Sequence, residues 1–228
     1  MDQFPHLYQT SLNTIMQEHD YIILDNIFPI PLYRNGKEHF LADSLTISRS
    51  TTLAQWWEKT LQNEAGKIVM PWEIYKQALQ GYGIATKRNS HFLSSPQEYE
   101  DVEKKSEVVE KYLGTKYSLL VEARKNIFRP ASGEYDMYAS VAAQFKEMAL
   151  EYHLKKENHH DDKGADESVA AAASYFITQR KARCAIITND GDIDRIVNRC
   201  LSESDQKLIT VYHPPRMENY QKHYLLAA

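Results

Sequence analysis

Cysteine is scarce. The chain holds only Cys184 and Cys200, one in an apolar run and one near the end of an expected helix. Two such residues make neither a disulfide framework nor a zinc knuckle, and they fit a reducing, cytoplasmic setting. No window approaches the roughly 18 consecutive apolar residues of a membrane span, so no membrane association is expected. The opening "MDQFPHLYQT" lacks a basic segment followed by an apolar one, so no signal peptide is expected either. Positive charge is also short, with 27 Lys and Arg against 31 Asp and Glu, a net charge of −4. Proteins that coat nucleic acid generically are usually basic overall, which sets that class aside. An enzyme that meets nucleic acid through a local patch stays open. Internal repeats and low-complexity linkers are absent.

What remains is an ordinary globular composition. Over 228 residues, 43% are hydrophobic and 25% charged, enough for one domain with a sizeable core. Short apolar runs punctuate the chain. "YIILD" (21–25), "KIVM" (67–70), "CAIIT" (184–188) and "KLITVY" (207–212) read as strands, apolar throughout where a sheet is covered on both faces. Helical patterns lie between them. The first is 8–18. The next is capped by Ser50 or Thr51 and stopped by Gly66. A third opens on Pro71 at its first position, where the missing N–H costs nothing. Residues 84–94 read as a polar loop. Helical stretches follow over 95–128 and 134–155, then an alanine-rich helix over "ADESVAAAASYFITQRKA", and a helix after "NDGD". Strands alternating with helices predict a parallel α/β sheet. The block from 95 to 155 exceeds one crossover and is expected to be a helical insertion in a single domain spanning 1–228.

Carboxylates fall at telling places. Asp25 ends the first strand, Asp190 and Asp192 follow the third, and Asp166 opens the alanine-rich helix. Ligands of open α/β sheets bind beyond the carboxyl ends of the strands. Several carboxylates gathered there repel one another, and a hard divalent cation such as Mg²⁺ or Mn²⁺ relieves the repulsion. Each acid also has a plainer reading. Asp166 can be a helix-start residue. Asp190, between Thr188-Asn189 and Gly191, can belong to a turn. Asp194 lies inside the following helix as an ordinary first-turn carboxylate. The coincidence of Asp25, Asp166 and Asp190 favours a metal site.

Four blocks resemble PIN-domain nucleases, and the last two also resemble their NYN relatives. "IILDN" is similar to that family's opening strand and first acid. "KIVMPWEIYKQAL" is similar to its second strand, proline and helix. "KGADESVAAAASYF" resembles the helix carrying its third acid, and "CAIITNDGDIDRI" its Thr-Asn-Asp segment. Together the blocks cover about 50 residues in the family's order. The resemblance implies a Rossmann-like three-layer α/β/α sandwich with a central parallel sheet. It implies hydrolysis of single-stranded RNA with Mg²⁺ or Mn²⁺, in the manner of an endoribonuclease, leaving a 5′-phosphate and a 3′-hydroxyl. By position, Asp25, Asp166 and Asp190 match the family's first, third and fourth acids, and Asp192 a frequent additional one. The second acid's position holds Gln77, a neutral oxygen donor. Glu73 lies one helical turn earlier on the same face and can either compensate or serve the helix dipole. Ile27 stands where the family prefers Asn or Ser, and Asn26 can substitute.

Other features are weighed against this reading. Asn26, Asn189, Lys87 and Arg88 are the expected substrate contacts. "HHDD" (159–162) reads as a solvated loop that can lend a further acid. One of Trp56 and Trp57 is expected in the core, since neighbours on a helix point about 100° apart. Arg180, Lys181 and Arg183 precede the third strand, at the opposite end of the sheet from the acids. An inhibitory protein partner and a homodimer are both compatible with the sequence. A degenerate RNA- or protein-binding module without catalysis is the alternative, and Gln77 is its main support. A phosphatase on a similar sheet is a weaker third, because no Asp-x-Asp follows the first strand.

Overall fold

The computed structural model describes residues 4–25, 44–93, 99–153, 165–188 and 190–214. Among them, four strands pair in one all-parallel sheet. They are β1 (Tyr21–Leu24), β2 (Ile68–Val69), β3 (Cys184–Ile187) and β4 (Ile209–Tyr212). Their spatial order is β2-β1-β3-β4. The helices are α1 (Phe4–Glu18), α2 (Ser44–Asn63), α3 (Trp72–Leu93), α4 (Tyr99–Lys125), α5 (Tyr135–His153), α6 (Ala165–Arg180), α7 (Asp192–Cys200) and α8 (Glu203–Gln206). The architecture is α/β and is compatible with a three-layer α/β/α sandwich. Among the described residues no helix is long and apolar enough to cross a membrane.

The central strands are apolar because both faces are covered. Ile22, Ile23 and Leu24 in β1 and all four residues of β3 are buried. The edge strand β4 is only partly so. Beyond β2, the Met70 N–H donates to the Asn126 carbonyl at 2.9 Å and the Phe128 N–H to the Met70 carbonyl at 2.8 Å. This single parallel bridge at Ile127 ties the chain leaving α4 to the sheet. α4 itself packs on α2 and α3.

α6 is the helix against which the centre of the sheet rests. It packs on β1 and β3 and also meets α3, α5 and α7. Every residue from Ala165 to Ile177 is buried, so the helix has no solvent stripe, as expected for one surrounded by protein. Ala170 to Ala173 are small enough for close approach. The Tyr21 and Phe176 rings stack at 4.0 Å, and Arg180 Nη1 donates to the Tyr21 hydroxyl at 3.3 Å. The carboxyl end of α6 therefore lies at the start of β1, and the helix runs antiparallel to the strands.

The strands fall where the apolar runs place them, but two helices depart from their local signals. α2 starts at Ser44, ahead of the expected cap. Ser50 and Thr51 are buried inside it. Hydroxyls elsewhere in α2 bond back one turn, Thr52 to the Ser48 carbonyl at 3.0 Å and Thr60 to the Trp56 carbonyl at 2.8 Å. Such back-bonding removes the need for these residues to sit at a helix end. α3 continues to Leu93 through the expected loop. Its contact with α4, where the Tyr82 and Tyr117 rings lie 6.1 Å apart, is a tertiary one with no local signal. Pro71 stands one position earlier than expected. Its carbonyl accepts the Tyr75 N–H at 3.1 Å, and Trp72 is the first helical residue. Trp57 is the core tryptophan, its indole N–H donating to the Tyr8 hydroxyl at 3.3 Å, while Trp56 packs edge-on against both rings.

Two stability predictions follow from this packing. Ala172 has no exposed surface. Ala172→Leu should overpack the surroundings of α6 and cost about 1–3 kcal/mol, read as a lower urea midpoint. Lys116 on α4 is 5% exposed, and burial lowers its pKa from 10.5 to about 8. Between about pH 8 and 10.5 the unfolded chain then binds the extra proton, so this group makes stability rise with pH there. Lys116→Met should be more stable than the parent at neutral pH. The difference should shrink across that window in a series of urea melts.

Candidate functional site

Parallel pairing brings the carboxyl ends of the strands to one edge. β1 and β2 lie to one side of the β1–β3 seam, and β3 and β4 to the other. That seam is a topological switch point, where adjacent strand ends diverge and leave a crevice. Leu24 pairs with Ile187, so Asp25 and Thr188 are the next residues on neighbouring strands. The Asp25 N–H donates to the Ile187 carbonyl at 3.0 Å, carrying the ladder one step further.

Thr188 links the two acids. Its hydroxyl donates to Asp25 Oδ2 at 2.5 Å and accepts the Asp190 N–H at 2.8 Å. Its own N–H donates to the Tyr212 carbonyl at 3.1 Å. The side chain is 1% exposed, whereas Asp25 and Asp190 are half-buried. One shielded hydroxyl thus holds the Asp25 carboxylate and shapes the backbone that presents Asp190.

Asp166 is brought to the same edge by α6. From Phe176, level with Tyr21, back to Asp166 is ten helical residues, roughly 15 Å. From Tyr21 to Asp25 is four strand steps, roughly 13 Å. The two acids therefore sit at a similar height, Asp25 half-buried and Asp166 buried. Glu167 beside Asp166 is buried too. Glu73 joins this end through Tyr138. Burial chiefly, with the Glu73 charge second, pushes the Tyr138 hydroxyl above its usual range, and that hydroxyl donates to the Ser168 carbonyl at 3.5 Å. The first turns of α3 and α6 thus share a neighbour. Gln77 is half-buried one turn further along α3.

Other expected site residues fall elsewhere. Lys87 and Arg88 lie in the last turns of α3 rather than in a loop. Lys87 is 15 residues past Trp72, roughly 22 Å along the axis from the carboxylate edge. Their side chains lie outside the described set, as does that of Asp192, whose backbone opens α7. Asn26, Asn189 and residues 159–162 lie outside the described residues. Asp194 is engaged by His213, with Nε2 2.6 Å from Oδ2. Arg180 and Arg183 occupy the opposite end of the sheet, where the Arg183 N–H donates to Asp20 Oδ2 at 2.8 Å.

Among the described residues, no three His, Cys, Asp or Glu side chains stand together as a group that could hold a metal ion. A hard ion does not require such a group. Mg²⁺ is commonly held by one or two carboxylates, with water and substrate phosphate completing the shell. Asp25 and Asp190, on adjacent strands and joined through Thr188, offer such a pair, and an oxygen-only donor set suits Mg²⁺ or Mn²⁺. Thr188 is a candidate site residue that has no role of its own among the sequence motifs. The available signal was its position as the one hydroxyl directly after a fully apolar strand and just before Asn-Asp. No family model, curated protein or solved structure matches this chain.

Thr188→Val replaces the bridging hydroxyl with a methyl of similar shape. It should lower stability by about 1–3 kcal/mol in denaturant melts, with Thr188→Ser losing far less.

Proposed function

We propose that the chain is a divalent-metal-dependent nuclease that hydrolyses phosphodiester bonds of single-stranded RNA. The observation that carries the reading is the pair Asp25 and Asp190, coupled through Thr188 at the switch point of a parallel sheet. The four sequence blocks that resemble PIN-domain nucleases support it independently, and a Rossmann-like layering goes with it.

In this reading Asp25 and Asp190 hold the metal, Asp166 contributes from the first turn of α6, and Asp192 completes or orients the set. When bound, Mg²⁺ or Mn²⁺ supplies charge neutralisation at the phosphate and activation of the attacking water. The chain's own task is positional. Thr188 fixes the Asp25 carboxylate at 2.5 Å and holds the Asp190 amide at 2.8 Å. Glu73 and Gln77 line the neighbouring helix start. RNA is the proposed substrate and the cytoplasm the proposed location. The buried free thiol of Cys184 in β3 accords with a reducing compartment.

A binding module without catalysis is the second reading. It is favoured by Gln77, a neutral side chain at the expected second-acid position.

Cleavage of a labelled single-stranded RNA should require Mn²⁺ or Mg²⁺ and stop on chelation. Asp25→Asn and Asp190→Asn should each lower the rate at least about 100-fold, the scale on which perturbing the groups that hold and orient a catalytic metal costs activity. Undiminished metal-dependent cleavage in both variants sinks Asp25 and Asp190 as the site, and no metal-dependent cleavage by the native chain sinks the nuclease reading. Saturable, Asp25-dependent Mn²⁺ binding separates it from the non-catalytic one.

A further inference from the structure

Trp72 is 52% exposed, while the neighbouring Ile74 and Tyr75 are buried and Trp57 is wholly so. It is one of several large apolar side chains left exposed among the described residues, and the one tryptophan in that group. Its place in the fold is specific. Ile23 pairs with Val69, so continuing the register sets Pro71 level with Asp25 and Trp72 one residue beyond. Adjacent strands lie about 4.8 Å apart, which puts the Trp72 backbone on the order of one or two strand spacings from Asp25. Along the carboxyl edge the order is Trp72 after β2, Asp25 after β1, then Thr188 and Asp190 after β3. One contact steadies the indole. The Tyr75 ring lies 5.8 Å away, inclined by 30°.

We infer that Trp72 is a stacking platform for a nucleobase of a single-stranded nucleic acid whose phosphate lies at Asp25 and Asp190. The inference rests on the nuclease reading for the identity of the ligand. It adds the residue that takes the base. A base presents an uncharged π-face, so it can be held beside an acidic edge without facing the repulsion that the phosphate meets. Stacking on tryptophan accepts any base, so Trp72 would add affinity and register but little sequence preference.

The test is equilibrium binding of a fluorescently labelled short oligoadenylate with cleavage-resistant phosphorothioate linkages in Mn²⁺, with the native chain as the parent so that Asp25 and Asp190 stay intact. Adding Trp72→Ala should weaken binding about 5- to 150-fold, the range for one stacked base, and Trp72→Phe should recover most of it. An abasic strand of the same length and linkages should bind the parent and the Trp72→Ala variant equally. Thermal melts of both variants check folding, and the Phe variant keeps the test valid if the Ala variant melts early. Equal oligoadenylate affinity with and without Trp72, an equal loss on the abasic strand, or no binding of any strand overturns the inference. The two readings part cleanly. Asp25-dependent cleavage with no Trp72 effect removes the platform alone. Trp72-dependent base binding without cleavage in the native chain removes the nuclease alone.

Discussion

The in-register pairing of β1 with β3 is the constraint on which the candidate site depends. Tyr21 with Cys184 through Leu24 with Ile187 makes a four-residue ladder, and both strands end at the same height. In a parallel sheet side chains alternate between faces, so a one-residue slip would turn the Thr188 hydroxyl away from Asp25. The register is held firmly because all of β3 and all of β1 but its first residue, Tyr21, are buried. The polar arrangement at the edge is therefore set by apolar packing below it.

The same logic explains how the helices contribute. Polar residues stand beyond every strand end at this edge: Asp25 after β1, Glu73 in the first turn of α3 after β2, Asp190 after β3 and His213 after β4. α6 approaches from elsewhere in the chain yet presents Asp166 and Glu167 here, because it runs antiparallel to the strands and its far end is pinned by Phe176 and Arg180 against Tyr21. Free N–H groups and the positive end of the helix dipole make such helix starts tolerant of buried acids. The opposite edge gathers Asp20, Arg180 and Arg183 instead.

The strands were legible in the sequence because a buried parallel strand must be apolar on both faces, and no other segments carry such short bounded runs. Asp25 and Asp190 were legible for the same reason, being the first polar residues after those runs. The starts of α2 and the end of α3 were not. Ser50 and Thr51 look like caps, but hydroxyls in that helix bond to carbonyls one turn back, and nothing local marks Ser44. α3 passes through Gly81, Gly83 and Asn89, all poor helix formers, and a tertiary contact with α4 outweighs them. Thr188 was visible only as a turn residue. Its bond to Asp25 depends on a neighbouring strand that lies 163 residues earlier in the chain. Trp72 drew no notice because exposure is a property of the folded surface.

The alanines of α6 set a distance as well as filling space. The methyl groups at 170–173 point around the helix, so small side chains meet the sheet on one side and the neighbouring helices on the others, and each can approach α6 closely. Those on the sheet side behave as a spacer shim. Whatever lies at the head of the helix is held at a set depth above the strand ends, so a thicker layer on that side lifts Asp166 away from Asp25 while leaving both residues chemically intact. Evolution of such a protein toward a new chemistry at this edge could proceed by changing the shim and leaving the acids alone.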